Sequence, residues 1–238
     1  MQSSWLIVYK VKLVNMTTWS YSSIKTFDQC PKKYYHLRVA KDVKDEPGEA
    51  ADYGTAVHQA AEDYIKLGTP IPDKFSYMRP IVESLAAIPG EKHTELKLGV
   101  KRGLTGYEPC TFFDKDVWYR GIVDLVIVNG DKAHMIDYKT GKNAKYADPK
   151  QLDLMAGALF LHYPQLKTIK SALVYVVSNE FIPKVHKAEY HEKYLLTFEQ
   201  ELDRLEHAEL SGVWNAKTSP LCGWCPVVSC EHHRPRRK

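Results

Sequence analysis

Apolar and polar positions change rhythm four times along this chain. From Ser20 to Ile88 the apolar residues recur at helical spacing. The first run, Ser20 to Arg38, carries Ile24, Phe27, Tyr34, Tyr35 and Leu37, can be capped by Ser20 or Ser22, and is broken or kinked after Cys30 by Pro31. Residues 41–51 are charged, include Pro47-Gly48 and read as a loop. Tyr53 to Leu67 places Val57, Ala60, Ala61 and Tyr64 on one stripe with His58 beside it, and Gly68-Thr69-Pro70 ends the helix. Tyr77 to Ile88 predicts another helix, stopped by Pro89-Gly90. The period then shortens to two. Glu95 to Lys101 and Val117 to Val128 predict strands, the second feeding a hairpin. Helical spacing returns from Pro149 to Tyr163, behind an Asp148-Pro149 start. A strand over Lys170 to Ser178, a long helix over His191 to Leu210, an irregular cysteine-rich segment over Pro220 to Cys230 and a basic tail complete the chain.

The hairpin, Gly121 to Lys142, reads GIVDLVIVNGDKAHMIDYKTGK. Asp124 interrupts an apolar run, with Ile122, Val123, Leu125 and Val126 leaving it no evident solvent face. Asp137 and Lys139 end the second strand and point to one face, roughly 6–7 Å apart. If Gly130-Asp131 is a two-residue turn, or residues 129–132 form the loop, Asp124 stands opposite Asp137. An Asn129-Gly130 turn would displace it by two residues on the same face, and a three-residue loop would move it to the other face. Facing carboxylates inside apolar strands repel and lose hydration unless a cation lies between them. Oxygen ligands suit magnesium or manganese, and a neighbouring lysine suits an attacking water or a phosphate. Lys139 also fits a plain salt bridge to Asp137.

The G-x-x-D then D-x-K pattern resembles the PD-(D/E)XK nuclease superfamily, and within it the RecB-like exonucleases that include AddB and CRISPR-associated relatives. The resemblance runs from about Ser20 to Cys230 and implies an α/β, restriction-endonuclease-like core: a central mixed sheet flanked by helices. It implies a nuclease domain over residues 20–215, between an N-terminal extension (1–19) and a cysteine-rich segment with a basic tail (216–238). Asp124, Asp137 and Lys139 would be catalytic. His58, in a G-x-x-x-H helix with Gly54, would join Asp124, Asp137 and the carbonyl of Tyr138 as metal ligands. Gln151 would bind substrate beside Lys142, Lys145 and Lys150, although Met155 stands where the family often has tyrosine. Glu95 is open between an outer acid of this site and a solvated strand end.

Cys222, Cys225 and Cys230 form C-x2-C-x4-C, and Cys30 lies far upstream. The resemblance implies a [4Fe-4S] cluster on these four residues; zinc on four cysteines, or on three with His232 or His233, is the alternative. Cys110 reads as an ordinary cysteine. Composition narrows this little: a net charge of +4 permits nucleic-acid binding without arguing for it. No apolar run reaches the roughly 18–20 residues of a membrane span. Lys10 and Lys12 interrupt the apolar first fifteen residues, a poor signal peptide, and Met16 offers an alternative start. The expectation is an intracellular, cytoplasmic DNA exonuclease of phage type, off the membrane, acting in recombination, repair or replication beside an unidentified annealing or recombination partner. A structure-specific or nicking endonuclease on the same fold and a non-catalytic DNA-binding module with structural zinc are the rivals.

Overall fold

The alternating segments around Asp124 and Asp137 form the middle of a six-stranded sheet. The computed structural model describes residues 17–46 and 48–234; residues 1–16, expected as an extension or an added strand, and 235–238 of the basic tail lie outside the described residues. The helices are α1 (Tyr21–Gln29), α2 (Pro31–Tyr34), α3 (Glu49–Leu67), α4 (Arg79–Ala87), α5 (Lys150–His162), α6 (His191–Leu195) and α7 (Glu199–Ser211). The strands are β1 (Glu91–Arg102), β2 (Tyr107–Cys110), β3 (Tyr119–Asn129), β4 (Lys132–Lys139), β5 (Thr168–Tyr175) and β6 (Glu180–Lys187). The described residues divide into two compact units, one of residues 48–197 and one joining residues 17–46 to 198–234.

In the larger unit the sheet order is β2-β1-β3-β4-β5-β6. Every pair is antiparallel except β4 with β5, whose parallel pairing needs a crossover that α5 supplies. Asn129 pairs with Lys132, so the hairpin loop is Gly130-Asp131, with Gly130 at φ +58° taking the left-handed turn position. That register places Asp124 opposite Asp137. The sequence pattern predicts neither β2 nor β6. Both are edge strands, carry Pro109 and Pro183, and expose much of their surface, so neither shows a buried alternation.

Leu125, Ile127, Ile136, Tyr138 and Val174 pack with Val57, Ala60 and Ala61 of α3 and Val82 of α4. On α5, every residue from Gln151 to Phe160 is buried, which explains its apolar circumference. Pro149 is the N-cap residue of α5, one position later than the sequence suggested, and Asp148 Oδ1 accepts the Lys150 N–H at 3.2 Å. The expected helix over His191–Leu210 is broken at Leu196–Phe198, where Thr197 Oγ1 donates to the Tyr194 carbonyl at 2.6 Å and competes with the helical ladder.

In the smaller unit the predicted break falls at Cys30, whose extended backbone (φ −164°) separates α1 from α2. Ser20 and Ser23 cap α1 reciprocally. Tyr34 stacks on Trp214 at 6.0 Å between centroids, and Phe27 meets both rings edge-on. Arg204 of α7 pairs with Asp28 at 2.8 Å.

Asp153 is the one acid inside the buried run of α5. Its carboxylate accepts from Lys184 Nζ at 2.6 Å and lies 2.9 Å from His186 Nε2 on β6. Burial alone would raise its pKa, but the His186 and Lys184 contacts outweigh this and hold it below the ordinary 3.8. A depressed carboxylate pKa stabilises the fold above the unfolded value, and that contribution disappears as pH falls through the folded one. Asp153→Ala should therefore cost about 2–3 kcal/mol near neutrality. Urea unfolding from about pH 6 to about pH 3 should show the gap between wild type and variant closing only below about pH 4. A gap independent of pH would contradict the assignment.

Candidate active site

The β3–β4 ladder ends at Leu125–Ile136, one pair short of Asp124 and Asp137. There the strands part, and the Tyr138 N–H, a ladder donor elsewhere in a strand, donates at 2.6 Å to Asp124 Oδ2. The carboxylate is thus fixed beside the backbone. The contact given by Tyr138 is through this N–H, whereas its carbonyl was the expected ligand.

Asp124 Oδ1 lies 3.4 Å from His58 Nδ1 on α3. Glu95 completes the group: one ligand atom from each of His58, Glu95 and Asp124 lies within 4.8 Å of the others. Strand alternation would send Glu95 and Thr94 to opposite faces. Yet Thr94 Oγ1 donates to Glu62 on α3 at 3.2 Å, while Glu95 meets His58 on the same helix. The backbone of Glu95, at φ +49°, makes this possible. A non-glycine residue there costs of order 1–3 kcal/mol, and such outliers concentrate at functional sites. Glu95 is therefore neither the start of β1 nor a solvated strand end: it lies mid-strand and half-buried.

Asp137 is buried beside this group and is held by other partners. Its Oδ1 accepts from Gln151 Nε2 at 2.7 Å, and its Oδ2 lies 2.5 Å from Lys139 Nζ. That second contact is an ion pair of poor hydrogen-bond direction, since Oδ2 is buried without a hydrogen-bond partner. Lys139 Nζ instead donates to Gln151 Oε1 at 3.0 Å. Gln151, expected at the substrate, is buried here with both ends of its amide engaged, and it ties Asp137 to Lys139. Lys142 is exposed in the loop that follows β4.

Electrostatics follow from this crowding. Burial pushes the Asp137 carboxyl up to about 6; Lys139 opposes the shift and Asp124 adds to it. Burial and the nearby Asp124 also raise Glu95. At His58 burial favours the neutral ring, but the Asp124 bond and the charges of Asp124, Asp137 and Glu95 prevail and raise its pKa. Three carboxylates and one imidazole, with a buried carboxylate oxygen lacking a hydrogen bond, are a fitting donor set for a hard divalent cation.

The four other ligand candidates meet in the smaller unit. Cys30, Cys222, Cys225 and Cys230, with His232 and His233, line a cavity of about 150 Å³. Cys30 Sγ accepts the Lys217 N–H and Cys222 Sγ the Ser219 N–H, each at 3.4 Å. Lys32 pairs with Glu231 at 2.5 Å, tying α2 to the cysteine-rich segment. His233 Nδ1 is buried without a partner.

A family model described as the PD-(D/E)XK nuclease superfamily matches residues 18–108 and 76–230. No curated protein matches. Among solved structures, a candidate exonuclease from Eubacterium rectale shares 13% identity over 100% of this chain and 95% of its own, with a TM-score of 0.50. SSO0001 shares 14% identity over 98% of each chain, with a TM-score of 0.45. At these identities the first likeness is one of fold, and the second carries no argument.

Asp124→Asn should leave apo stability unchanged or higher, because it removes a negative charge and keeps an acceptor for Tyr138. Asp124→Ala should be about 1–3 kcal/mol less stable than the Asn variant, since the Tyr138 N–H loses its partner. Urea unfolding of the two without metal decides this, and equal stabilities would count against the N–H bond.

Proposed function

Because this chain belongs to the PD-(D/E)XK nuclease superfamily, we propose that it is a divalent-metal-dependent exonuclease hydrolysing phosphodiester bonds in DNA. The carrying observation is the gathering of His58, Glu95 and Asp124 within 4.8 Å, beside buried Asp137 and Lys139. His58, Glu95 and Asp124 would hold magnesium or manganese, with Asp137 at its flank. Such a cation supplies Lewis-acid charge and lowers the pKa of a bound water. Lys139 would present its ammonium to the attacking water and the phosphate, where charge grows during attack. Gln151 would hold Lys139 and Asp137 in register, and exposed Lys142 would meet the strand outside the site. The same reading places the protein on DNA in recombination, repair or replication, beside partner proteins yet to be identified. Its free thiols suit a reducing compartment such as the cytoplasm.

Digestion of end-labelled linear DNA, with circular DNA resistant and all cleavage lost without magnesium, is the expected result. Cleavage of circular DNA would make it an endonuclease, and a wild-type chain inert on both would remove the nuclease reading. Lys139→Ala and Gln151→Ala should each lower the maximal rate at least about a hundredfold with little change in DNA affinity. Weakened binding at an unchanged rate would move these residues from chemistry to docking.

In the smaller unit the same reading gives Cys30, Cys222, Cys225 and Cys230 a [4Fe-4S] cluster. What supports one shared occupant is that all four cysteines line the same cavity of about 150 Å³. The unpartnered His233 Nδ1 favours zinc. Protein purified without oxygen should be brown and carry about four irons, and Cys30→Ser should lose both colour and stability. Stoichiometric zinc without iron would replace the cluster and keep the link between the chain ends.

A further inference from the structure

Beyond the acids, the sheet carries a second constellation that the proposed chemistry does not use. Along β3 the alternate residues Asp124, Ile122 and Arg120 share one face. On β1, Lys97 pairs with Ile122 and Gly99 with Arg120, so Lys97 joins that face. It is two residues from Glu95. The spacing from Asp124 to Arg120 is about 13 Å along the strand.

The loop after β2 closes over the far end. Its main chain presses on Gly99, where an added Cβ would stand 2.6 Å from the Thr111 carbonyl oxygen, so this crossing requires glycine. The loop turns back on itself through the Asp114 N–H to the Thr111 carbonyl at 3.1 Å. This seats Phe112 and Phe113 edge to face, 5.1 Å between centroids. Lys97 Nζ lies 5.9 Å from the Phe112 ring and 5.5 Å from Phe113, and Arg120 Cζ lies 5.6 Å from Phe112. Phe113 is nevertheless 75% exposed and Ile122 39% exposed. Among the described residues neither Lys97 nor Arg120 has a carboxylate partner; in the loop the Asp114 carboxylate accepts the Asp116 N–H, and Arg120 reaches only the Asp114 carbonyl, at 3.4 Å. Arg120 Nε is buried without an acceptor.

An exposed aromatic ring beside unpaired cations offers a base a stacking surface and its phosphate a countercharge. A protein partner would find little apolar area here and two uncompensated cations, so charge favours the polyanion. We propose that Phe113, Lys97 and Arg120 form a single-stranded DNA subsite that leads along β1 and β3 to Asp124. The proposal rests on the nuclease reading for its substrate. A base stacks on Phe113, and the phosphates next to it lie on Lys97 and Arg120. Duplex DNA keeps its bases stacked internally and gains nothing from Phe113.

Anisotropy of a labelled oligothymidylate, alone or in a duplex, binding to the full chain without divalent metal provides the test. Phe113→Ala should weaken single-strand binding about tenfold and duplex binding much less, and Phe113→Trp should restore it. Lys97→Ala should reduce the slope of log affinity against log salt by about 0.7. Unchanged single-strand affinity in Phe113→Ala, or an equal loss for duplex, overturns the subsite. So does a wild-type dimer that Phe113→Ala converts to monomer, which would assign the surface to a second copy of the chain. Cleavage by a wild type whose binding ignores Phe113 refutes the subsite alone, whereas Phe113-dependent binding without any cleavage refutes the nuclease reading alone.

Discussion

Glu95, Asp124 and Asp137 are carboxylates brought close together where a sheet loses water. Repulsion and desolvation would each keep them apart or neutral, and the surrounding structure answers both. Asp124 takes the Tyr138 N–H and faces His58. Asp137 takes Lys139 and the Gln151 amide. Glu95 is delivered by a left-handed backbone that breaks the alternation of β1. Burial and mutual charge still raise Asp137 and Glu95, so the site retains an electrostatic deficit that a cation relieves.

This constraint accounts for several features of the larger unit. The parting of β3 and β4 gives the Asp124 carboxylate its place. The buried helix α5 brings Gln151 to Asp137 from one side and, two residues on in the same turn, fastens Asp153 to His186 and Lys184. Removing one partner leaves another charge without compensation, so these contacts act together and their effects should not add. The smaller unit has a separate logic: the break at Cys30 and the turn over Pro220–Trp224 bring four sulfurs from the two ends of the chain to one cavity.

Much of this was legible in the sequence because it depended on local periodicity. Turn chemistry located the hairpin but left its register open among several loops, and the pairing of Asn129 with Lys132 selects the Gly130-Asp131 turn that puts Asp124 opposite Asp137. His58 beside an apolar stripe and the mixed α/β sheet also followed. Glu95 stayed undecided because its role needs a positive φ that no alternation reveals. Sequence alone leaves Gln151 facing substrate, because its burial depends on the crossover of α5 onto β4. The edge strands β2 and β6 lack a buried face, and Thr197 interrupts a helix that periodicity alone would continue.

Manganese binding measures directly whether the carboxylate group holds a cation. Calorimetric titration of the wild type and of Glu95→Gln compares a charged ligand with a neutral side chain of the same shape. Glu95 should carry a large share of the affinity, and its replacement should weaken the ion by at least about tenfold while the apo fold stays intact. Equal manganese affinity in the two proteins would contradict the account, because the strained backbone at Glu95 would then serve no metal.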